Sequence, residues 1–180
     1  QRGWNREGRI NPFPNYAVTG PTGKLGRLVL DELLQQTDAG SIVALARDPS
    51  ALSDYAAKGV QVRRADYDDP ESLKSALQGV DRLLLISGNA VGQRPRQHGN
   101  VIEAAKDAGV SYLAYTSILK GDRSPLALAP EHTETEKLLA ASGLNYDVLR
   151  NGWYSENYTA GLAPSHQSGK IFGAVGSGRL

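Results

Sequence analysis

The sequence predicts an α/β fold, a doubly wound parallel sheet with helices on both faces, and three observations carry that expectation. Short apolar runs alternate with helical patterns from Tyr16 onward. Five junctions, at Gly40, Gly59, Gly79, Gly109 and Gly143, share one grammar in which a helix ends, a glycine follows and an apolar strand begins. Glycine suits the left-handed position that closes a helix because it has no Cβ to clash there. Runs such as Leu83-Leu84-Leu85-Ile86 are apolar without alternation, as parallel strands covered on both faces require. Repeated strand–helix–strand units imply right-handed crossovers.

In chain order, the first strand is expected at Tyr16–Thr19, and the helix after Gly26 puts Leu25, Leu28, Val29 and Leu33 on one apolar stripe. The second strand spans Ile42–Ala46, with Asp48 capping the helix that follows Pro49. The third spans Val60–Arg64. Asp69-Pro70-Glu71 then supplies an N-cap, a proline in the first turn and an acidic helix start, with Leu73, Ala76 and Leu77 as the buried side. The fourth strand spans Arg82–Ile86. The segment from Gly92 to His98 reads as a solvated connection before a helix from His98 to Ala108. Strands at Tyr112–Thr116 and Tyr146–Leu149 flank a helix over Glu131–Ala141, and Lys170–Val175 has the pattern of one more short strand.

Residues 1–15 lack a hydrophobic period and are expected to be a disordered or artefactual leader, in a chain with no methionine. Residues 16–160 form the nucleotide-binding domain, and residues 161–180 are expected to begin an incomplete C-terminal substrate region. Twenty basic against nineteen acidic residues leave no footprint for nucleic acid or an anionic membrane. Without cysteine, and with histidines only at 98, 132 and 166, no metal site is expected. No apolar run approaches the ~20 residues of a membrane helix. A cytoplasmic enzyme is the default expectation.

The run Tyr16-Ala-Val-Thr-Gly20-Pro21-Thr22-Gly23-Lys24-Leu25-Gly26 is a strand, a glycine turn and a helix start, which marks the fold as Rossmann-type. Such a first crossover lies at the carboxyl ends of the strands, where ligands bind. Gly20 permits the tight turn, Gly23 admits a pyrophosphate close to the backbone, and Gly26 lets the helix pack close to the sheet. The helix N-terminus offers unpaired N–H groups and positive dipole. The second strand ends in Arg47, which favours a ribose 2′-phosphate where an acidic residue would favour the 2′-hydroxyl. Asp48 reads as a helix cap, or alternatively as that acidic partner. NADP(H) is therefore expected in preference to NAD(H).

Further runs occur in order: Ala-Arg47-Asp-Pro, Arg-Ala-Asp66-Tyr67, Leu-Leu-Ile-Ser87, Ala-Tyr-Thr-Ser117, Glu-His132-Thr-Glu-Thr-Glu-Lys137 and Leu-Arg-Asn-Gly152-Trp153-Tyr154-Ser155-Glu156-Asn157-Tyr158. With the glycine turn, they closely resemble the NmrA-like branch of the atypical short-chain dehydrogenases, and within it the bacterial NADPH:quinone oxidoreductase 2 group. The resemblance runs from Tyr16 to Leu180 and implies a family member lacking its C-terminal substrate lobe. It implies that Gly20, Pro21, Thr22, Gly23, Lys24 and Leu25 hold the pyrophosphate and Arg47 the 2′-phosphate. Asp66 and Tyr67 would meet the adenine, Ser87 and Gly88 the ribose, and Lys137 the nicotinamide ribose. Gly152, Trp153, Tyr154, Ser155, Glu156 and Asn157 would border the nicotinamide and the acceptor.

The chain departs from the short-chain dehydrogenase pair Tyr-x-x-x-Lys, because Thr133 stands four residues before Lys137. Reduction of a quinone or similar small electrophile asks less of the protein than reduction of a ketone. The hydroquinone anion is a weak base that takes its proton from water or a modest donor. No catalytic residue is assigned; the candidates are Lys137, Tyr154 and His132. His132 reads otherwise as a solvated first-turn residue, Lys137 as a surface partner of Thr133 or Glu134, and Trp153, Tyr154 and Tyr158 as core or as platforms for a flat ring. The alternative to an enzyme is a non-catalytic NADP-binding redox sensor of NmrA type. A homodimer is the candidate assembly.

Overall fold

The computed structural model describes residues 14–159, 166 and 169. Most of the expected leader and the strand expected at Lys170–Val175 lie outside the described residues. In chain order the elements are β1 (Tyr16–Thr19), α1 (Lys24–Gln36), β2 (Ile42–Ala46), α2 (Ser53–Ala57), β3 (Gln61–Arg64), α3 (Pro70–Ala76), β4 (Arg82–Leu85), α4 (Arg94–Asp107), β5 (Tyr112–Ile118), α5 (Ala129–Ser142), β6 (Tyr146–Asn151) and α6 (Glu156–Thr159). The strands form one sheet in the order β3-β2-β1-β4-β5-β6, with parallel pairing of β1 to β2 and β4, β2 to β3, and β4 to β5. The order reverses between β1 and β4, which places a ligand crevice above their carboxyl ends.

Alternate residues of the central strands serve opposite layers. Ala17, Val43, Leu45, Leu83, Leu85 and Leu113 pack with Leu73, Val101, Ile102 and Leu139 of α3, α4 and α5. Val18, Ile42, Ala44 and Ala46 pack with Leu30 of α1, with Leu52, and with Tyr55 of α2. All five residues of β2 are therefore buried, which is why that strand shows no alternation. The stripe expected on α1 is corrected: Leu28 is 63% exposed, whereas Leu30 is fully buried, worth about 2 kcal/mol by area.

Four of the five glycine junctions close as expected, with positive φ at Gly59, Gly79, Gly109 and Gly143. Gly40 does not, because α1 has already ended at Thr37 and Gly40 lies in a 3-10 turn capped by the Asp38 side chain. Asp48 caps Pro49–Leu52 by accepting from Ser50 N, and Asp69 caps α3 by accepting from Ser72 N. Helix α4 begins at Arg94, so most of the supposed solvated connection is its first turn. Asn15, assigned above to the leader, is tied to the fold. Its backbone N–H donates to Asp81 Oδ2 at 2.8 Å and its side-chain amide to the Gly79 carbonyl at 2.9 Å.

The chain separates into two compact units, one ending at Arg150 and one beginning at Asn151. No helix among the described residues is long and apolar enough to cross a membrane, and no group of three potential ligands there is placed to hold a metal.

Candidate functional site

The glycine turn is built by close approach. Gly20 has φ +60°, and Gly23 N donates to the Gly20 carbonyl at 3.2 Å. A Cβ on Gly26 would lie 2.2 Å from Gly20 O and 2.7 Å from Pro21 Cα. Gly26 therefore lets α1 start against the backbone of its own preceding turn, rather than against the sheet as the sequence suggested. Gly23 is the N-cap of α1 and supplies no side-chain acceptor, so no side-chain cap competes for the N–H groups of the first turn.

This turn floors a cleft of about 360 Å³, within the range of small-molecule sites. Its walls are the strand ends: Leu45 and Ala46 ending β2, with Arg47 after it; Ala65, Asp66, Tyr67 and Asp68 after β3; Ile86 to Ala90 after β4; and Gln97 from α4. Of the residues anticipated for the nucleotide, the structure brings together Gly20, Pro21, Thr22, Gly23, Arg47, Asp66, Tyr67, Ser87 and Gly88. Lys24 and Leu25 stand just outside, in the first turn of α1, with Lys24 exposed.

Arg47 is exposed on the cleft wall and is found in no ion pair among the described residues. Asp48 accepts from both N and Oγ of Ser50, at 3.0 and 2.7 Å; these bonds hold its carboxyl below the usual range. The two readings of Asp48 are thereby separated: its carboxylate caps a turn. Tyr67 donates to Ile86 O at 2.9 Å, and burial pushes its phenol up to about 12, so it stays protonated. Thr19 Oγ1 accepts from Ile86 N and Thr116 Oγ1 from Ser87 N, each at 2.9 Å, fixing the end of β4.

His132 is not a solvated residue. It is 5% exposed, its Nδ1 lies 2.7 Å from the Tyr115 hydroxyl, and burial pulls its pKa below the ordinary value. With the neutral ring protonated on Nε2, the Tyr115 hydroxyl donates to Nδ1. Ser117 donates to Glu136 Oε1 at 2.6 Å, and Arg150 grips the same carboxylate at 3.1 and 2.6 Å, which holds Glu136 low. Thr133 has a buried hydroxyl without a hydrogen-bond partner among the described residues. Lys137 is 71% exposed and pairs with Glu134 at 3.6 Å; it does not line the cleft. Gly152 to Asn157 belong to the unit that begins at Asn151, where all six are exposed. Trp153 and Tyr154, at 59% and 44% exposure, are not core residues, and Tyr154 accepts from Asn151 Nδ2 at 3.0 Å.

Sequence reasoning missed Arg94, His98 and Glu131, a group behind the β4–α4 turn in which Arg94 and His98 are buried and Glu131 half-buried. Gly88 N–H donates to His98 Nε2 at 3.0 Å, and Arg94 Nε donates to Gly88 O at 2.5 Å. The available signal was Pro95, which fits the first turn of a helix beginning near Arg94.

Comparison with known proteins agrees with this geometry. A model of the NAD(P)H-binding family matches residues 20–177. Quinone oxidoreductase 2 of Escherichia coli is 54% identical over 164 residues, 91% of this chain and 57% of that protein. An NmrA-like family domain-containing oxidoreductase of Aspergillus flavus is 37% identical over 79% of this chain and 49% of its own length. The crystal structure of the E. coli NADPH-dependent quinone oxidoreductase complexed with NADPH superposes with TM-score 0.83 at 55% identity, over 89% of this chain and 57% of that one. Citrobacter sp. triphenylmethane reductase complexed with NADP(H) gives TM-score 0.82 at 40% identity, over 87% and 55%. The chain thus spans about half the length of the relatives it matches.

Proposed function

Because this chain belongs to the NAD(P)H-binding family, we propose that its cleft binds NADPH and serves hydride transfer to a quinone or similar small electrophile. The carrying observation is the pair at the end of β2, where Arg47 stands on the cleft wall while Asp48 is committed to Ser50. The Arg47 guanidinium, in no ion pair among the described residues and acting on Asp68 only through its charge, suits a 2′-phosphate there. The turn from Gly20 to Gly26 offers the pyrophosphate a helix N-terminus, and Asp66 and Tyr67 offer walls for the adenine. Bound NADPH would supply the hydride; the protein's part is to bind and orient it.

The choice of acceptor follows from what stands near the helix lysine. Thr133 is no phenol, so an acceptor needing a strong general acid is disfavoured, whereas a quinone reduced to a weakly basic hydroquinone anion is not. The relative named quinone oxidoreductase 2 supports this reading. Contact of Lys137 with the nicotinamide ribose, and of Gly152 to Asn157 with nicotinamide and acceptor, belongs to the same proposal. Lys137 would have to exchange its Glu134 partner for the ribose, a small cost for an exposed pair.

Calorimetric titration with NADPH and NADH tests the reading. The expected outcome is a preference for NADPH of about tenfold or more, lost in Arg47→Ala, where each tenfold is ~1.4 kcal/mol. Equal affinity for the two cofactors would remove Arg47 from the proposal. Oxidation of NADPH on addition of a quinone separates an enzyme from a non-catalytic sensor.

A further inference from the structure

The turn joining β4 to α4 reaches the cleft through Gly88, Asn89 and Ala90, and side chains outside the cleft hold both of its ends, buried ones at Gly88 and the half-buried Glu131 at Gly92. At one end both polar atoms of the Gly88 backbone are engaged, the N–H by His98 Nε2 and the carbonyl by Arg94 Nε. At the other, Gly92 N–H donates to Glu131 Oε1 at 2.9 Å. The second oxygen of Glu131 pairs with Arg94 Nη1 at 3.3 Å, closing a ring between α4 and α5. Because His98 Nε2 accepts, its proton sits on Nδ1, which donates to Thr135 Oγ1 at 3.0 Å. The Thr135 hydroxyl in turn donates to the Glu131 carbonyl at 3.0 Å.

None of His98, Arg94 and Glu131 lines the cleft. His98 is fully buried and Arg94 is 6% exposed. A buried ion pair contributes little net stability compared with apolar packing of the same volume, so stability alone is a poor reason for this set. What it does provide is one fixed position for three backbone groups of a cleft-lining turn. We infer that His98, Arg94 and Glu131 are positioning residues, a clamp that holds the Gly88–Gly92 turn in the geometry that receives the dinucleotide. The clamp's part in binding rests on the nucleotide reading; the clamp itself rests on geometry alone.

Two measurements separate these levels. Amide hydrogen exchange on the ligand-free chain reads the clamp directly. Gly88 and Gly92 should exchange slowly, with His98→Leu accelerating Gly88 and Glu131→Ala accelerating Gly92 by about tenfold or more, while amides of α1 stay unchanged. His98→Gln, whose Oε1 can accept the Gly88 N–H, should restore slow exchange. Titration with NADPH and, separately, with 2′,5′-ADP then reads positioning. The second probe carries the 2′-phosphate but lacks the nicotinamide half, which in the nucleotide reading would lie toward the end of β4. His98→Leu should weaken NADPH about tenfold and 2′,5′-ADP by less than about threefold, with His98→Gln recovering most of the loss. If His98→Leu does not fold, Arg94→Lys reads the same turn, because it keeps the charge opposite Glu131 but loses the planar donor to Gly88. Unchanged Gly88 exchange would overturn the clamp. Unchanged NADPH affinity in a folded variant, or equal weakening of both probes, would overturn its positioning role. A wild-type chain that bound no NADPH would overturn the nucleotide reading instead, and exchange at Gly88 would still decide the clamp.

Discussion

Two glycines three residues apart in one turn answer to different demands. A Cβ on Gly26 would stand 2.2 Å from a backbone oxygen that cannot step aside, whereas a Cβ on Gly23 would meet only Gly20 O at an ordinary 3.5 Å. Gly23 also has φ −77°, open to any residue. Gly26→Ala should therefore lose about 1–3 kcal/mol of stability, against the ~1 kcal/mol that helix propensity alone would add. Gly23→Ala should leave stability near the wild-type value and still weaken NADPH, because its missing side chain is space for a ligand. Urea unfolding and calorimetry on both variants check this; a stabilised Gly26→Ala would refute the close approach. The sequence showed that glycines were needed here, since strand, turn and helix surround them. It could not show what Gly26 touches, because that contact depends on where α1 starts.

Elements were most legible where their signals are local. Asp69-Pro70-Glu71 announces α3, and the structure places Asp69 as its cap, accepting from Ser72 N at 3.2 Å. Asp69→Ala should cost about 1 kcal/mol, with part of the loss from the exposed pair with Arg64; Arg64→Ala in the same background separates the two. A cost no larger than that of Arg64→Ala alone would mean the cap contributes nothing. Helix α4 was less legible because Arg94, Gln97 and His98 near its start are polar yet buried. Its partners are Glu131 and Gly88 for Arg94, Thr135 for His98 and Asp68 for Gln97, and most lie far along the chain. Polar residues buried by distant partners look like solvated ones in a sequence. The same holds for His132, whose partner Tyr115 is on β5. The stripe on α1 was misread at one position for another reason. Val29 and Leu33 pack against the β-layer as expected, but Leu30 is buried where Leu28 is exposed, and an apolar-rich helix admits more than one stripe.

Across the whole molecule the buried histidine sets how the fold responds to acid. Burial first, then His132 and Arg94, hold His98 down at about 3, against an opposing pull from Glu131; Tyr67 and Tyr115 face it edge-on and stay uncharged. An imidazole in the unfolded chain titrates near 6.5. Above that pH both states carry a neutral ring and the full stability is present. As pH falls from 6.5 toward 3, the unfolded chain takes up a proton that the folded chain refuses, so stability falls throughout that window. His132, shifted in the same direction, adds to the loss. The carboxylates held low by their partners, Asp68, Asp69, Glu131 and Glu136, contribute their losses mainly below the ordinary carboxylate range. Between pH 7 and pH 5 the histidines therefore dominate, with His98 alone worth about 2 kcal/mol. His98→Gln cannot titrate. Whatever it costs at pH 7, its stability should change less over that interval by about the same 2 kcal/mol, as read from urea unfolding at the two pH values. Parallel slopes for the variant and the wild type would mean that His98 takes up a proton as readily in the folded protein as in the unfolded chain. A charged ring has no lone pair for Gly88, so the hold on the β4–α4 turn would then be lost by pH 5 and kept only near neutrality.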